Sequence, residues 1–304
     1  MISRLKLFLA LSRTPHGLLD MATPALAALL WLGKIPTFKV TVLGILAGFA
    51  GYTAVYALND VVDYRVDQEK MRQSGLETGA STDLDAVYVR HPLAQGLLPF
   101  WEGLTWAAGW ALVALLCAYL LNPVCAVLFV AGCLLETIYC LLLRVTYLRV
   151  LVSGVVKTLG GVAAVYAVTP NPSLWFVVAL FLWLFAWEVG GQNVPNDWAD
   201  KEEDEKLRAR TIPVHFGIDR ATEIIAWCLG GTVLLSTLLI WLAPARIAVW
   251  SSILILVGGA VLLLVPGYQL YRNRAPRQAA ALFNRASYYP LCLFVILVAN
   301  HLSS

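Results

Sequence analysis

Charge is scarce in this chain. Of its 304 residues only 13% are Asp, Glu, Lys or Arg, against 60% hydrophobic, which excludes an ordinary soluble domain and leaves no nucleic-acid partner to be expected. Paired cysteines are also lacking. The six present (Cys117, Cys125, Cys133, Cys140, Cys228 and Cys292) sit in apolar runs, with no CxxC pair and no histidine at metal-ligand spacing, so they read as packing residues rather than disulfides or a zinc site. Strict apolar–polar alternation is absent too, which excludes the strands of a membrane β-barrel.

What is present is a series of long apolar runs. A spanning helix needs about 20 mostly apolar residues to cross about 30 Å of hydrocarbon. Nine such runs occur, at roughly 17–33, 38–58, 103–121, 124–143, 150–169, 173–194, 221–243, 247–270 and 287–303. The expected fold is therefore all-α, a polytopic membrane protein with nine transmembrane helices. The opening "MISRLKLFLALSRTPHG" is basic, but its apolar part is short and a full spanning run follows, so no cleaved signal peptide is expected.

Basic residues set the orientation. On the N-terminal side of this topology fall 18 of the 22 Lys and Arg; Lys34, Lys39 and Arg246 fall on the other side and Lys157 within a helix. The positive-inside rule then places the N-terminus in the cytoplasm, and the expected location is multi-pass in a cytoplasmic membrane, bacterial or archaeal. Loops on the opposite face, such as "LNPV" and "TPNPS", are short and carry no Asp or Glu. The cytoplasmic loops are long and polar, and "QSGLETGASTDLDAVYV" within 68–102 has the composition of a flap or a short surface helix. Membrane lipids are expected partners, with anionic head groups on the basic segment "YRNRAPRQ" at 271–278.

Against this apolar background, "LNDVVDYRVDQEK" (58–70) closes the second run with Asn59, Asp60, Asp63 and Asp67. The sixth run ends in "NDWADKEED" (196–204), where Asn196, Asp197, Asp200 and Asp204 repeat the same offsets 137 positions later. Each cluster follows an even-numbered helix, so both lie on one membrane face. Four helices per unit preserve direction and predict two parallel repeats, approximately 17–143 and 150–270, with a ninth helix at 287–303 in a single domain, 1–304. The site is expected between the halves, in a central cavity opening to the cytoplasmic side.

Steps of four residues advance a helix about 40° beyond one turn, so Asn59, Asp63 and Asp67 form a stripe about 12 Å long. Asn196, Asp200 and Asp204 form its counterpart, with Asp60 and Asp197 alongside. Like charges at this spacing repel, and carboxylates with an amide carbonyl suit a hard cation, Mg2+ above all, with Mn2+ an alternative. Solvated surface charge would explain one such cluster, but recurrence at equivalent places weighs against it for two. Asn59, Asp63, Asp67, Asn196, Asp200 and Asp204 are the candidate metal ligands, and Asp60, Asp63, Asp67, Asp197, Asp200 and Asp204 the candidate catalytic carboxylates. Arg65, Arg72, Arg90, Lys201 and Arg208 are placed to bind phosphate oxygens. Glu136, Lys157 and Glu188 lie within spans, where charge faces a cavity or a partner; Lys157 suits a diphosphate or a pairing glutamate equally. Gln192 and Asn193 precede the second cluster by about one turn and are candidates for the cavity wall. Trp183, Trp187, Tyr139 and Tyr166 could face a carbocation, although packing explains membrane aromatics as well.

These residues resemble the UbiA-type superfamily of intramembrane prenyltransferases. "NDVVDYRVD" fits its NDxxDxxxD motif, and "NDWADKEED" contains its second motif, DxxxD, as Asp200 and Asp204. Lesser matches are "SRTPH" at 12–16, with Thr14 inserted before Pro15, and "RHPLAQGLL" at 90–98, with His91 between Arg90 and Pro92. "YCLLLR" at 139–144 keeps Tyr139 and Arg144 but has Leu143 where the family has lysine. The resemblance implies transfer of a polyprenyl group from a prenyl diphosphate to a lipophilic, usually aromatic acceptor. A quinone precursor such as 4-hydroxybenzoate is expected first and a glyceryl phosphate of ether-lipid synthesis second. Asn59, Arg65, Arg72, Arg90, Tyr139, Arg144, Lys157, Gln192, Asn193, Asn196 and Lys201 would bind substrate. The alternative of another class is a divalent-cation or metabolite transporter, which would need polar groups through the full membrane depth.

Overall fold

The computed structural model describes residues 3–74, 84 and 87–303; the regular elements among these residues are helices joined by turns and loops, with no strand among them. Most of the polar stretch at 73–89 therefore lies outside the described residues. The chain begins with α1 (Arg4–Leu11), α2 (Thr14–Asp20), α3 (Ala22–Leu32), α4 (Phe38–Val62) and α5 (Tyr64–Ser74). It continues with α6 (Phe100–Leu121), α7 (Pro123–Leu141) and α8 (Arg149–Val168). The later part comprises α9 (Leu174–Ala199), α10 (Lys201–Lys206), α11 (Ile212–Leu242), α12 (Val249–Asn273) and α13 (Pro276–Ser303).

Eight of these, α4, α6 to α9 and α11 to α13, are long and apolar enough to cross a membrane, which makes the chain a multi-pass integral membrane protein. The run at 17–33 differs from its expected form. It divides at Met21 into α2 and α3, neither of which spans alone. Helix α13 begins 11 residues before the expected 287 because Ala279, Leu282, Phe283 and Ala286 supply a buried face while Arg277 and Arg285 stay exposed.

Local chemistry sets several of these boundaries. Asn122 adopts an extended backbone, its side chain accepts from the Val124 N–H at 2.9 Å, and Pro123 takes the first turn of α7. The same side chain donates to the Tyr166 carbonyl at 3.0 Å and ties this turn to α8. Helix α11 kinks at Gly217, whose φ of 78° side chains other than glycine rarely adopt.

The main core forms around α9, with Phe176, Trp183, Trp187, Trp198 and Tyr289 at its centre. Inside α9, residues Glu188–Asn193 form a π-helical segment. A β-carbon on Gly190 there would lie 2.4 Å from Cys228 Cβ and 3.2 Å from the Ile225 carbonyl, backbone that cannot swing away. Gly190→Ala should lower stability by about 1–3 kcal/mol, read by thermal unfolding in detergent. Gly109→Ala in α6, with nothing within 4 Å, is the matched change and should cost nothing. Equal melting temperatures for the two variants would refute the close approach of α9 to α11.

Candidate active site

The two acidic clusters end α4 and α9 and begin the helices that follow. Each stripe bends at its middle acid. Asp63 separates α4 from α5 with ψ of 0°, and Asp200 separates α9 from α10 with ψ of 8°. The expectation of one unbroken helix through each stripe is corrected accordingly. The i to i+4 bonds survive the bend: Asp63 N–H donates to Asn59 O at 2.9 Å and Asp67 N–H to Asp63 O at 2.9 Å. Asp200 N–H likewise donates to Asn196 O at 3.1 Å and Asp204 N–H to Asp200 O at 2.9 Å. All eight cluster residues line one cavity of about 950 Å³, whose remaining wall is mostly apolar.

Cations from the first half of the chain meet acids of the second. Lys70 lies 3.1 Å from Asp200 and 2.7 Å from Glu203, and Arg90 also pairs with Asp200. Burial works against ionising Asp200, but Arg90 and Lys70 overcome it and hold its carboxyl at about 2. Within the first cluster, Arg13 donates to Asn59 Oδ1 at 3.0 Å and Asp60 Oδ1 at 3.2 Å. Asn59 donates in turn to Glu136 at 2.7 Å and to the Cys140 sulfur at 3.2 Å. His91 Nδ1 stands 2.9 Å from Asp67 and 3.6 Å from Asp60.

Other carboxylates are less well compensated. Burial, and then the charge of Asp67, push Asp63 up to about 6. Burial and Asp200 push Asp204 up to about 6 against the pull of Lys70. Asp197 is buried, and its Oδ2 has no hydrogen-bond partner. Crowded, partly desolvated oxygen donors short of positive charge are the donor set that a hard divalent cation fits.

A model of the UbiA prenyltransferase family matches residues 21–291. The chain belongs to this family. It is therefore a prenyltransferase, of the class that transfers alkyl or aryl groups other than methyl. A 4-hydroxybenzoate octaprenyltransferase from Shewanella woodyi is 27% identical over 98% of both chains. A digeranylgeranylglyceryl phosphate synthase from Thermococcus sibiricus is 25% identical over 90% of both. A protoheme IX farnesyltransferase from Shewanella amazonensis is 26% identical, over 96% of this chain and 95% of that one. Among solved structures, a UbiA homologue from Archaeoglobus fulgidus bound to DMAPP and Mg2+ shares the fold with a TM-score of 0.69 at 17% identity, over 96% of this chain and 99% of that one.

In this UbiA family member, Arg90, Tyr139, Lys157, Gln192 and Asn193 line the cavity together with both clusters. Arg65, Arg72, Arg144 and Lys201 do not line it. Arg65 and Arg72 are exposed, Arg144 pairs with Glu69 at 2.7 Å, and Lys201 pairs with Glu205 one turn along α10 at 2.5 Å. Trp183 and Trp187 belong to the packed core rather than the cavity wall. Lys157 pairs with Asp20 at 2.6 Å, not with a glutamate. Asp20 was overlooked in the sequence although it sits inside an apolar run, the signal that picked out Lys157. Tyr52, Tyr56 and Arg149 were also overlooked. Arg149 is buried with its guanidinium 3.9 Å from the centre of the Tyr139 ring, and in the sequence it looks like any basic residue at a helix start.

Proposed function

We propose that this chain catalyses Mg2+-dependent transfer of a polyprenyl group from a prenyl diphosphate to a lipophilic aromatic acceptor, a quinone precursor such as 4-hydroxybenzoate. The observation that carries this reading is the meeting of both acidic clusters at one apolar cavity, with Asp63 and Asp204 short of compensating charge and Asp197 Oδ2 without a hydrogen-bond partner. Asn59, Asp63, Asp67, Asn196, Asp200 and Asp204 would hold the metal, with Asp60 and Asp197 beside them. When bound, Mg2+ supplies neutralisation of the charge that develops on the leaving diphosphate.

The chain's own residues supply the rest. Arg90 and Lys70, already at the metal-cluster end of the cavity, bind outer diphosphate oxygens. The apolar wall takes the isoprenoid chain and keeps water from the allylic cation. Tyr52 and Tyr56 line the cavity and would offer ring faces to that cation, while Tyr139 has one face covered by the Arg149 guanidinium and would offer only the other. Gln192 and Asn193 orient the acceptor. Asn193 is held for this by hydrogen bonds to Tyr139 at 2.9 Å and Ser153 at 3.1 Å.

The same reading extends to topology. End to end, α2 and α3 span about 28 Å at 1.5 Å per residue, enough for a ninth crossing by a broken helix. Bends at Asp63 and Asp200, at matching places in the two clusters, support parallel repeats within one domain. The bias of Lys and Arg supports a cavity mouth and N-terminus on the cytoplasmic side.

A glyceryl phosphate acceptor is the second reading, supported by the Thermococcus sibiricus relative. Diphosphate release by the purified protein tests both. Geranylgeranyl diphosphate and shorter donors are offered with aromatic and glyceryl-phosphate acceptors, with Mg2+, with Mn2+ and in EDTA. Release that requires an acceptor and stops in EDTA is expected, and the active acceptor names the class. Full turnover in EDTA would refute the metal site. Absence of release with every pair, from folded protein, would refute both acceptor classes.

A further inference from the structure

We propose that His91 is a nitrogen ligand to a divalent ion at the first acidic cluster, and that it turns the metal preference of this chain from Mg2+ toward first-row transition ions, Mn2+ among them. The inference rests on the reading of that cluster as a metal site and adds a ligand to it. His91 Nδ1 is 2.9 Å from Asp67 Oδ2 and 3.6 Å from Asp60 Oδ1. One donor atom from each of Asp60, Asp67 and His91 lies within 4.8 Å of the other two. Metal–ligand bonds of about 2.1 Å put neighbouring donors roughly 3 Å apart and opposite donors roughly 4 Å apart; the 2.9 and 3.6 Å separations of Nδ1 from the two carboxylates fall within that range, so small side-chain movements would gather the three atoms around one ion.

The ring is held at this place at a conformational cost. His91 has φ of 50°, the left-handed region that a non-glycine residue rarely occupies and that tends to persist where surrounding structure imposes it. A tight turn does so here. Gln95 N–H donates to the His91 carbonyl at 3.1 Å, and Gln95 Nε2 donates to the Arg90 carbonyl at 2.6 Å. Leu93, 2% exposed, anchors the turn against Gly103, where a β-carbon would lie 2.8 Å from the leucine methyls.

A counter-ion and a metal ligand would use the same contacts. Arg13 already supplies a cation to Asp60, and despite its closeness to Asp67 the buried Nδ1 makes no well-formed hydrogen bond. In the metal-free protein Nδ1 faces Asp67 and Asp60 as an ion-pair partner, and a divalent ion bound among these three groups would displace its proton and leave the nitrogen as a ligand. Imidazole suits Fe2+ and Zn2+, and Mn2+, higher than Mg2+ in its affinity for nitrogen donors, accepts it beside carboxylates, whereas Mg2+ prefers oxygen throughout its shell.

Pulsed electron paramagnetic resonance on the full-length protein in detergent, loaded with Mn2+ alone, reads the ligand atoms directly. Wild type should show a 14N coupling from one imidazole. His91→Gln and His91→Ala should lose that coupling, bind Mn2+ at least about tenfold more weakly, and lose much less affinity for Mg2+. Glutamine keeps the side chain's bulk and guards against collapse of the turn, and circular dichroism checks that each variant is folded. An oxygen-only Mn2+ shell in folded wild type, no bound Mn2+, or a 14N coupling that persists in His91→Gln would each overturn the inference. The spectrum is independent of turnover. Prenyl transfer with an oxygen-only shell removes this inference and leaves the prenyltransferase reading intact, while a 14N coupling without transfer does the reverse.

Discussion

Asp63→Ala and Asp200→Ala are each expected to lower prenyl transfer by about a thousandfold or more, and to move stability in opposite directions. The catalytic loss follows from removing a ligand from a metal site worth several kcal/mol to the transition state, each 1.36 kcal/mol being a factor of about ten. The stability difference follows from the surroundings of the two carboxyls. In metal-free protein Asp63 has its pKa raised from 3.8 to about 6. Folding then favours its protonated form, and that contribution, complete below about pH 4, is lost as pH rises through 6. Asp63→Ala removes this burden, so at pH 7 the metal-free variant should melt no lower than wild type. Asp200 is the reverse, lowered from 3.8 to about 2 by Arg90 and Lys70 against the cost of burial. Its contribution is present above about pH 4, is lost as pH falls through 2, and amounts to about 2 kcal/mol at neutral pH. Asp200→Ala should therefore melt lower while remaining folded. Prenyl transfer at the wild-type rate by either folded variant would remove the two-cluster metal site. A lower melting temperature for the metal-free Asp63 variant would contradict the electrostatic account.

The largest effect on stability is expected at Lys157. Its ammonium lies 2.6 Å from Asp20, which is 1% exposed and also accepts from the Tyr56 hydroxyl at 2.5 Å. Lys157→Met leaves the Asp20 carboxylate, inside the membrane-spanning bundle, with only His16 at 3.7 Å as a basic neighbour among the described residues. Loss of one partner from a buried pair typically costs about 3–5 kcal/mol. Asp20→Asn combined with Lys157→Met removes both charges and should recover most of that loss. Unfolding in detergent measures the cycle. Additive losses in the double variant, or no loss in Lys157→Met, would show that the pair is not coupled as its geometry indicates.

The hydrophobic runs and the two clusters were legible because each is local. A run of about 20 apolar residues must be helical in lipid, since only internal hydrogen bonds satisfy its backbone there. An Asn with three Asp at repeated offsets carries its chemistry wherever the chain goes. The same locality explains the errors. Treating each cluster as a continuous helix missed the bends at Asp63 and Asp200. Judging basic residues by nearness in sequence gave Arg65, Arg72, Arg144 and Lys201 the same standing as Arg90, although their side chains pair elsewhere or face outward.

By itself, then, the sequence determined a membrane-embedded, all-helical prenyltransferase of the UbiA family and the two acidic clusters that line its cavity. Those properties depend on composition and on residues within a few turns of each other. Tertiary structure alone decided that Lys70 and Arg90 hold Asp200, that Asp20 holds Lys157, and that His91 stands between Asp60 and Asp67. Apart from His91, these partners lie more than a hundred positions apart, and even His91 reaches its acids only through a left-handed turn. Pairings of that kind are set by how the helices pack, because a buried charge takes whichever opposite charge the packed bundle brings within reach.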